Sequence, residues 1–163
     1  MSLHTYPLTA VIGDYSRSAG GLAVSVIPLV VAPSTPLVTY LFSGMIAVFL
    51  VYALRTAIRH FTRIELSDEG IGATLPTARR IDWTDLEILR LRYYSSKRDR
   101  SRGWFQMVLA GAGRRIVIDS PITDFHSIVA RAAAAANRNG MQLDDATSAN
   151  VAALTSASAA EGH

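Results

Sequence analysis

The sequence predicts a membrane α-helical hairpin followed by an α+β domain in the cytoplasm. Three features predict this class. Residues 18–54 contain no Asp, Glu, Lys, Arg or His, and fifteen of the 16 Lys and Arg residues lie at or after Arg55. From residue 62 onward, short alternating runs are separated by turn residues. Only 18% of the 163 residues are charged, against about 25% in a typical soluble domain, so a purely soluble globule is not expected.

The clearest membrane segment is residues 36–54. Its 19 residues would span about 28 Å as a helix, close to the roughly 30 Å thickness of bilayer hydrocarbon. Tyr40 and Tyr52 lie near its ends, where an aromatic ring with a polar tip suits the membrane interface. The segment has no polar face of the kind that a surface helix shows. We therefore predict that it spans the membrane.

The preceding segment, residues 18–32, is shorter and contains Gly20, Gly21 and Pro28. Three interpretations remain open: a kinked span that closes a hairpin, a re-entrant or interfacial piece, or a signal peptide cleaved near Ala32. Pro33 would directly follow that cleavage site, which disfavours cleavage. We expect a two-helix hairpin over residues 18–57, preceded by a cytoplasmic segment at residues 1–17. Whether residues 18–32 cross the whole bilayer is left open.

The distribution of arginines predicts the orientation of this hairpin. Arg55, Arg59 and Arg63 directly follow the second segment, whereas the turn between the segments carries no charge. Because basic loops stay in the cytoplasm, both termini should be cytoplasmic in a multi-pass protein of the inner membrane. The three arginines recur every four residues and would share one face of a continuing helix. We expect them to anchor the topology or to contact lipid headgroups.

The second half of the chain indicates an antiparallel sheet closed by a helix. Glycine-bearing turns separate six runs of alternating residues, at residues 63–67, 71–75, 79–83, 86–93, 104–110 and 114–118. Phe125, Ile128, Val129 and Ala132 then fall on one face of a helix that begins near Thr123. Residues 140–163 are rich in Ala, Ser and Thr, and they predict a flexible tail with at most a helical turn at residues 151–154.

Two stretches resemble the bacterial pleckstrin-homology-like (PH-like) domains that are attached to a pair of membrane helices. These stretches are Ile64-Glu65-Leu66-Ser67-Asp68-Glu69-Gly70-Ile71 and Arg80-Ile81-Asp82-Trp83-Thr84-Asp85-Leu86-Glu87-Ile88. The resemblance covers residues 62–139 and implies a small antiparallel β-sandwich or barrel of six to seven strands, capped by a C-terminal helix. It implies no enzymatic activity and transfers no ligand residue. Trp83 itself is expected in the core or as a strand-end anchor.

The most concentrated charge lies in a predicted loop between two strands. Lys97, Arg98, Arg100 and Arg102 provide four cations within six residues. Near the cytoplasmic leaflet, each cation gains about 1 kcal/mol from anionic lipid. The loop therefore either contacts phospholipid headgroups or an acidic partner, or serves only as a solvated loop.

Catalytic and cofactor sites find no support in the sequence. The chain has no cysteine, its four histidines are widely separated, and the common nucleotide, hydrolase and metalloprotease motifs are missing. The pI of about 9.6 would suit nucleic-acid binding, but the sequence has no motif of aromatic residues that stack on bases. We therefore expect no enzymatic activity, no cofactor, no metal and no nucleic-acid partner.

The function expected from the sequence is a non-enzymatic, membrane-anchored protein that binds a partner protein or anionic headgroups. The expected partner is either another protein or further copies of the same chain in a homo-oligomer. The alternative is an accessory subunit of a membrane enzyme complex, contacted through the hairpin.

Overall fold

The structure, a computed structural model, describes residues 2–31, 35–96 and 99–161. It divides into two compact units. The helical unit is Tyr6–Phe61, and the β-rich unit combines Met1–Thr5 with Thr62–His163.

The helical unit is a two-helix hairpin formed by α1 (Leu8–Val31) and α2 (Pro36–Phe61). α1 begins before the predicted hairpin limit of residue 18 and α2 ends after the limit of residue 57, so α1 includes Asp14 and Arg17, and α2 includes Arg59. The helices pack along each other. At one close approach the ring of Phe49 occupies the space that a Cβ on Gly21 would fill, so a larger residue there would separate the helices.

The six predicted strands are confirmed, and a seventh precedes them. They are β1 (Ser2–Thr5), β2 (Arg63–Leu66), β3 (Gly70–Ala73), β4 (Arg79–Asp82), β5 (Leu86–Ser96), β6 (Asp99–Gly111) and β7 (Arg114–Asp119). The N-terminal segment expected at residues 1–17 contains β1 and the start of α1, and Ser2–Thr5 pairs antiparallel with β2. Residues 6–62, 57 in all, separate this strand from its partner, so no local pattern marks it.

The strands form two antiparallel sheets, one in the order β1-β2-β3-β4 and the other in the order β5-β6-β7. Across the described residues the sheets do not close into a barrel, so the barrel alternative is wrong. Two reciprocal bonds join β4 to β7. The Nη1 of Arg79 donates to the carbonyl of Arg115 at 2.9 Å, and the Nη1 of Arg114 donates to the carbonyl of Arg80 at 2.9 Å.

The predicted turn between β6 and β7 is confirmed in detail. Ala112 and Gly113 have φ values of 49° and 70°, and Gly111 pairs with Arg114 across them. Positive φ at both central residues is the signature of the two-residue type I′ turn that suits the twist of a hairpin.

The core of the β-rich unit follows the alternation of the strands. Alternate residues are buried in β2, in the second half of β7 and in the inner part of β6, as expected where one face of a sheet is covered, whereas β1 and β4 each bury one residue. The buried apolar residues of the strands include Ile64, Leu66, Ile71, Ile81, Leu89, Leu91, Met107, Leu109, Ile116 and Ile118. Trp83 is buried, and its indole N–H donates to the carbonyl of Ser67 at 3.0 Å. The expected anchoring role of Trp83 is therefore confirmed.

Two helices complete the β-rich unit. The predicted closing helix is α3 (Phe125–Arg138), and its apolar face is buried as expected. The predicted flexible tail is instead largely helical, as α4 (Asp145–Glu161). Thr147 and Asn150 of α4 bond to the backbone N–H and carbonyl of Leu91 on the outer edge of β5, at 3.2 and 2.8 Å. Hydrogen bonds, rather than a strong apolar stripe, dock this helix, which explains why its composition resembles a disordered tail.

Candidate functional site

The polar side chains of the hairpin gather at one end of both helices. The hydroxyl of Tyr52 donates to Oδ1 of Asp14 at 2.8 Å, and Nη1 of Arg17 lies 3.3 Å from the same oxygen. Nη1 of Arg59 lies 3.9 Å from Oδ2 of Asp14. These contacts bring the charged residues of α1 next to the C-terminal part of α2. The uncharged parts of both helices extend from there toward the turn between α1 and α2.

Aromatic side chains surround this polar end. Tyr15 and His60 share a hydrogen bond of 3.3 Å, and the guanidinium of Arg59 lies 5.2 Å from the ring centroid of Tyr6. Tyrosines at the boundary between charged and apolar surface are typical of a membrane interface.

The apolar part of α2 is exposed rather than packed in a protein core. Leu37, Tyr40 and Val51 are 79%, 77% and 67% exposed. Within the described residues, α2 is the one helix long and apolar enough to cross a membrane. The expectation of two spans is supported only for α2, because α1 carries Asp14 and Arg17 and has only 14 residues from Ser18 to its end at Val31.

The three arginines after the predicted span do not share a helix face. Arg55 is exposed on α2. The side chain of Arg59 is 32% exposed and lies near the carboxylate of Asp14. Arg63 lies on β2 opposite Thr5, because α2 ends at Phe61. The prediction of one continuous helical face is therefore wrong for Arg63.

The predicted basic loop is largely a hairpin of two long strands. Its Lys97 and Arg98 lie outside the described residues, whereas the backbone of Arg100 and Arg102 belongs to β6. The pair Ser96 and Asp99 closes the β5–β6 ladder. The polar composition of residues 95–103 concealed the continuation of both strands.

Two aromatic pairs flank this hairpin end, and the sequence reasoning missed them. Tyr93 faces Phe105 across the strands, with ring centroids 4.9 Å apart. Tyr94 stacks on Trp104, with centroids 5.8 Å apart and planes at 24°. The placement of two consecutive aromatic residues on either side of a polar stretch is the sequence signal that could have identified them.

The outer face of the β5-β6-β7 sheet carries a second candidate surface. Arg90, Arg92 and Arg115 lie around Val108 in a shallow groove of about 210 Å³. Arg92 also lies 3.4 Å from the carboxylate of Asp144. Because arginine is enriched at protein interfaces and pairs with anions through several donors, this face is suited to bind acidic groups.

Two carboxyl groups of the β-rich unit have perturbed titration. The Arg131 guanidinium, 2.5 Å from Asp68, lowers the pKa of that carboxyl below its ordinary value. The pKa of Asp144 is lowered chiefly by the backbone N–H of Thr147, which donates to it at 2.7 Å, with a smaller contribution from Arg92. Both carboxylates act as structural partners in these contacts.

Metal-ligating side chains do not cluster in the part of the chain that the structure describes: it holds no group of three or more His, Cys, Asp and Glu residues that could bind a metal ion. Comparisons with protein-family models, curated proteins and solved structures found no match to this chain.

Proposed function

We propose that the chain is a non-enzymatic, membrane-anchored binding protein of the inner membrane. The α1–α2 hairpin holds the β-rich unit at the cytoplasmic face, where its basic surfaces bind anionic phospholipid headgroups. An acidic partner protein at the same surfaces is the competing outcome of the tests below. Both termini lie in the cytoplasm, and the turn between the helices faces outward.

The observation that carries this proposal is the separation of charge within the hairpin. Asp14 bonds Tyr52 and lies near Arg59, so the Asp, Arg and His residues of the two helices lie toward one end of the hairpin. The remaining part presents exposed apolar side chains such as Leu37 and Val48. Burying these side chains in lipid removes their apolar surface from water, which lowers the free energy by about 25 cal/mol per Å².

Membrane fractionation tests the anchor directly. The full chain should remain in the membrane pellet after an alkaline carbonate wash and should enter the supernatant only with detergent. Recovery of the folded chain in the supernatant without detergent would contradict the proposal.

The contribution of the β-rich unit can be tested by removing the hairpin. A deletion of residues 1–57 would also remove β1, so the deletion should cover only Tyr6–Phe61. Thr5 faces Arg63 in the β1–β2 ladder, and a three-residue link ending in Asn-Gly before Thr62 would close these strands as a tight hairpin. The resulting soluble protein should bind vesicles that contain phosphatidylglycerol and should leave vesicles of phosphatidylcholine alone unbound.

The assignment to PH-like domains belongs to this proposal as well. The arrangement of two antiparallel sheets followed by α3 supports it, together with the stretches around Gly70 and Trp83. No catalytic role, cofactor or metal is proposed.

A second candidate function is an accessory subunit that contacts a membrane enzyme complex through α2. It is favoured by an apolar groove on α2 where Gly44 leaves open space, lined by Tyr40, Leu41, Gly44, Met45, Val48 and Phe49. Under this alternative, a protein that co-purifies with the full chain from detergent extract should be lost when Tyr6–Phe61 is removed. Retention of that protein by the shortened chain would instead assign the contact to the β-rich unit and would support an acidic partner there.

A further inference from the structure

The distal part of the β5–β6 hairpin projects past the rest of its sheet. The ladder between β6 and β7 ends with Gln106 opposite Asp119. Ser120, directly after β7, still bonds the backbone N–H and carbonyl of Phe105 at 3.0 and 2.8 Å. Beyond Phe105, β5 and β6 continue to pair with each other, through Tyr94–Trp104 and Ser96–Asp99. We call residues 93–96 and 99–105 the projecting ribbon.

Aromatic side chains occupy both faces of this ribbon. Successive residues of a strand point to opposite faces, so the Tyr93–Phe105 pair and the Tyr94–Trp104 pair lie on opposite sides. Tyr93, Tyr94 and Trp104 are 43%, 43% and 44% exposed. The tip of the ribbon is polar, with Asp99, Arg100 and Arg102 in its sequence, so the exposed rings are the part of the ribbon that water solvates poorly.

We propose that the projecting ribbon inserts its aromatic pairs into the headgroup layer of an anionic membrane. This inference rests on the proposed function and names the membrane contact of the β-rich unit. A lipid interface surrounds an inserted ribbon on both sides, whereas a protein surface would cover one face. The geometry of two opposed aromatic pairs therefore favours lipid over a protein partner.

The charge next to the ribbon fits an anionic surface. Arg92 and Arg90 precede Tyr94 on the same outer face of β5 and line the groove described above. Tyrosine and tryptophan prefer the membrane interface, because their rings are apolar and their polar tips remain hydrated. Arginines just behind them would meet the phosphate groups of the lipid.

The ribbon is already shaped for this contact. The ring of Tyr93 lies over Gly103, where a Cβ would overlap it. This close approach holds the ring against the strand, so little side-chain freedom remains to be lost on insertion.

Trp104 provides the test, because the only other tryptophan, Trp83, is 5% exposed. The full chain is reconstituted in vesicles whose lipids carry bromine on their acyl chains near the headgroup. The Trp104→Phe variant measures the emission of Trp83 for subtraction. We expect quenching of Trp104 to be several-fold stronger when phosphatidylglycerol is present than in phosphatidylcholine alone.

A control comes from Asn137, which is exposed near the end of α3, two residues before Asn139, whose side chain bonds the carbonyl of Leu86 at the end of β5 away from the ribbon. In the Trp104→Phe background, the indole introduced by Asn137→Trp should be quenched by aqueous acrylamide and hardly by brominated lipid. Three results would overturn the inference: Trp104 reached only by acrylamide, equal lipid quenching at both positions, or equal quenching in the two lipid mixtures. Protection of Trp104 by added RNA or protein instead of by lipid would also overturn it.

Failure of this inference is distinguishable from failure of the proposed function. A chain that resists carbonate extraction but keeps Trp104 in water loses only the ribbon contact. A chain that carbonate releases loses the anchor on which both proposals depend.

Discussion

A buried hydroxyl provides one of the two hydrogen bonds that dock α4 on the edge of β5. The backbone N–H of Leu91 donates to Oγ1 of Thr147 at 3.2 Å, and both residues are fully buried. Thr147→Val replaces this hydroxyl by a methyl group of nearly the same volume. The backbone N–H of Leu91 is then buried without an acceptor. The carbonyl of Leu91 still accepts its hydrogen bond from Asn150.

The expected cost is that of an unsatisfied buried donor, about 1–3 kcal/mol. In a domain of roughly 100 residues, each kcal/mol lowers the melting temperature by about 4 °C or more. Thr155→Val is the matched control on the same helix. Thr155 is exposed and bonds only carbonyls of its own helix, and the two variants share the same small change in helix propensity.

Thermal unfolding of the full chain in detergent, followed by near-ultraviolet circular dichroism, measures both variants. Thr147→Val should melt several degrees below Thr155→Val, and amide exchange at Leu91 should accelerate. Identical melting of the two variants would refute the assignment of α4 as a docked helix and would restore the flexible tail.

Two further predictions concern the hairpin and the start of α4. Gly21→Val should destabilise the helix pair by about 1–3 kcal/mol more than Gly20→Val, because the ring of Phe49 fills the space at Gly21 and nothing lies within 4 Å of a Cβ at Gly20; titration of unfolding with SDS measures the difference, and equal effects would contradict the packing. The folded-state pKa of Asp144 is lowered, so its stabilisation is present above the unfolded pKa of about 3.9 and lost as pH falls through the lower folded value. Asp144→Asn should therefore show a shallower loss of stability below about pH 4 than the native chain in acid titration, and parallel curves would count against this role.

The parts of the fold that the sequence predicts are those with a local signal. Alternation of apolar residues marks each of β2 to β7 because one face of every strand is buried, as at Leu89 and Leu91. The glycine pair at residues 111 and 113 marks the turn, and the periodicity of Phe125 and Ile128 marks α3.

The parts that it missed are held by distant partners. β1 owes its strand conformation to β2, and Thr5 also bonds Thr123 through its backbone N–H and carbonyl. α4 depends on Thr147 and Asn150, whose bonds to β5 cannot be read from an Ala-, Ser- and Thr-rich composition. Cross-strand and edge contacts of this kind arise only once the sheets exist.

The candidate site shows the same division. Arginines next to the span are visible as charge, but the chain turns into β2 before Arg63, so their common helix face does not form. The aromatic pairs of the projecting ribbon depend on the register that sets Tyr94 opposite Trp104. The composition indicated a basic loop there, whereas the register shows two paired strands that carry aromatic pairs.

Under the proposed function, lipid surrounds the hairpin while the β-rich unit stays in the cytoplasm. Because the chain contains no cysteine, a single introduced thiol reports its own side of the membrane. Thr35→Cys lies between α1 and α2, and Ser127→Cys lies exposed on α3. In intact cells of a bacterial host permeable only at the outer membrane, an impermeant maleimide should label the first variant at once and the second only after lysis. Labelling of Ser127→Cys before lysis, or no labelling of Thr35→Cys until lysis, would contradict this topology.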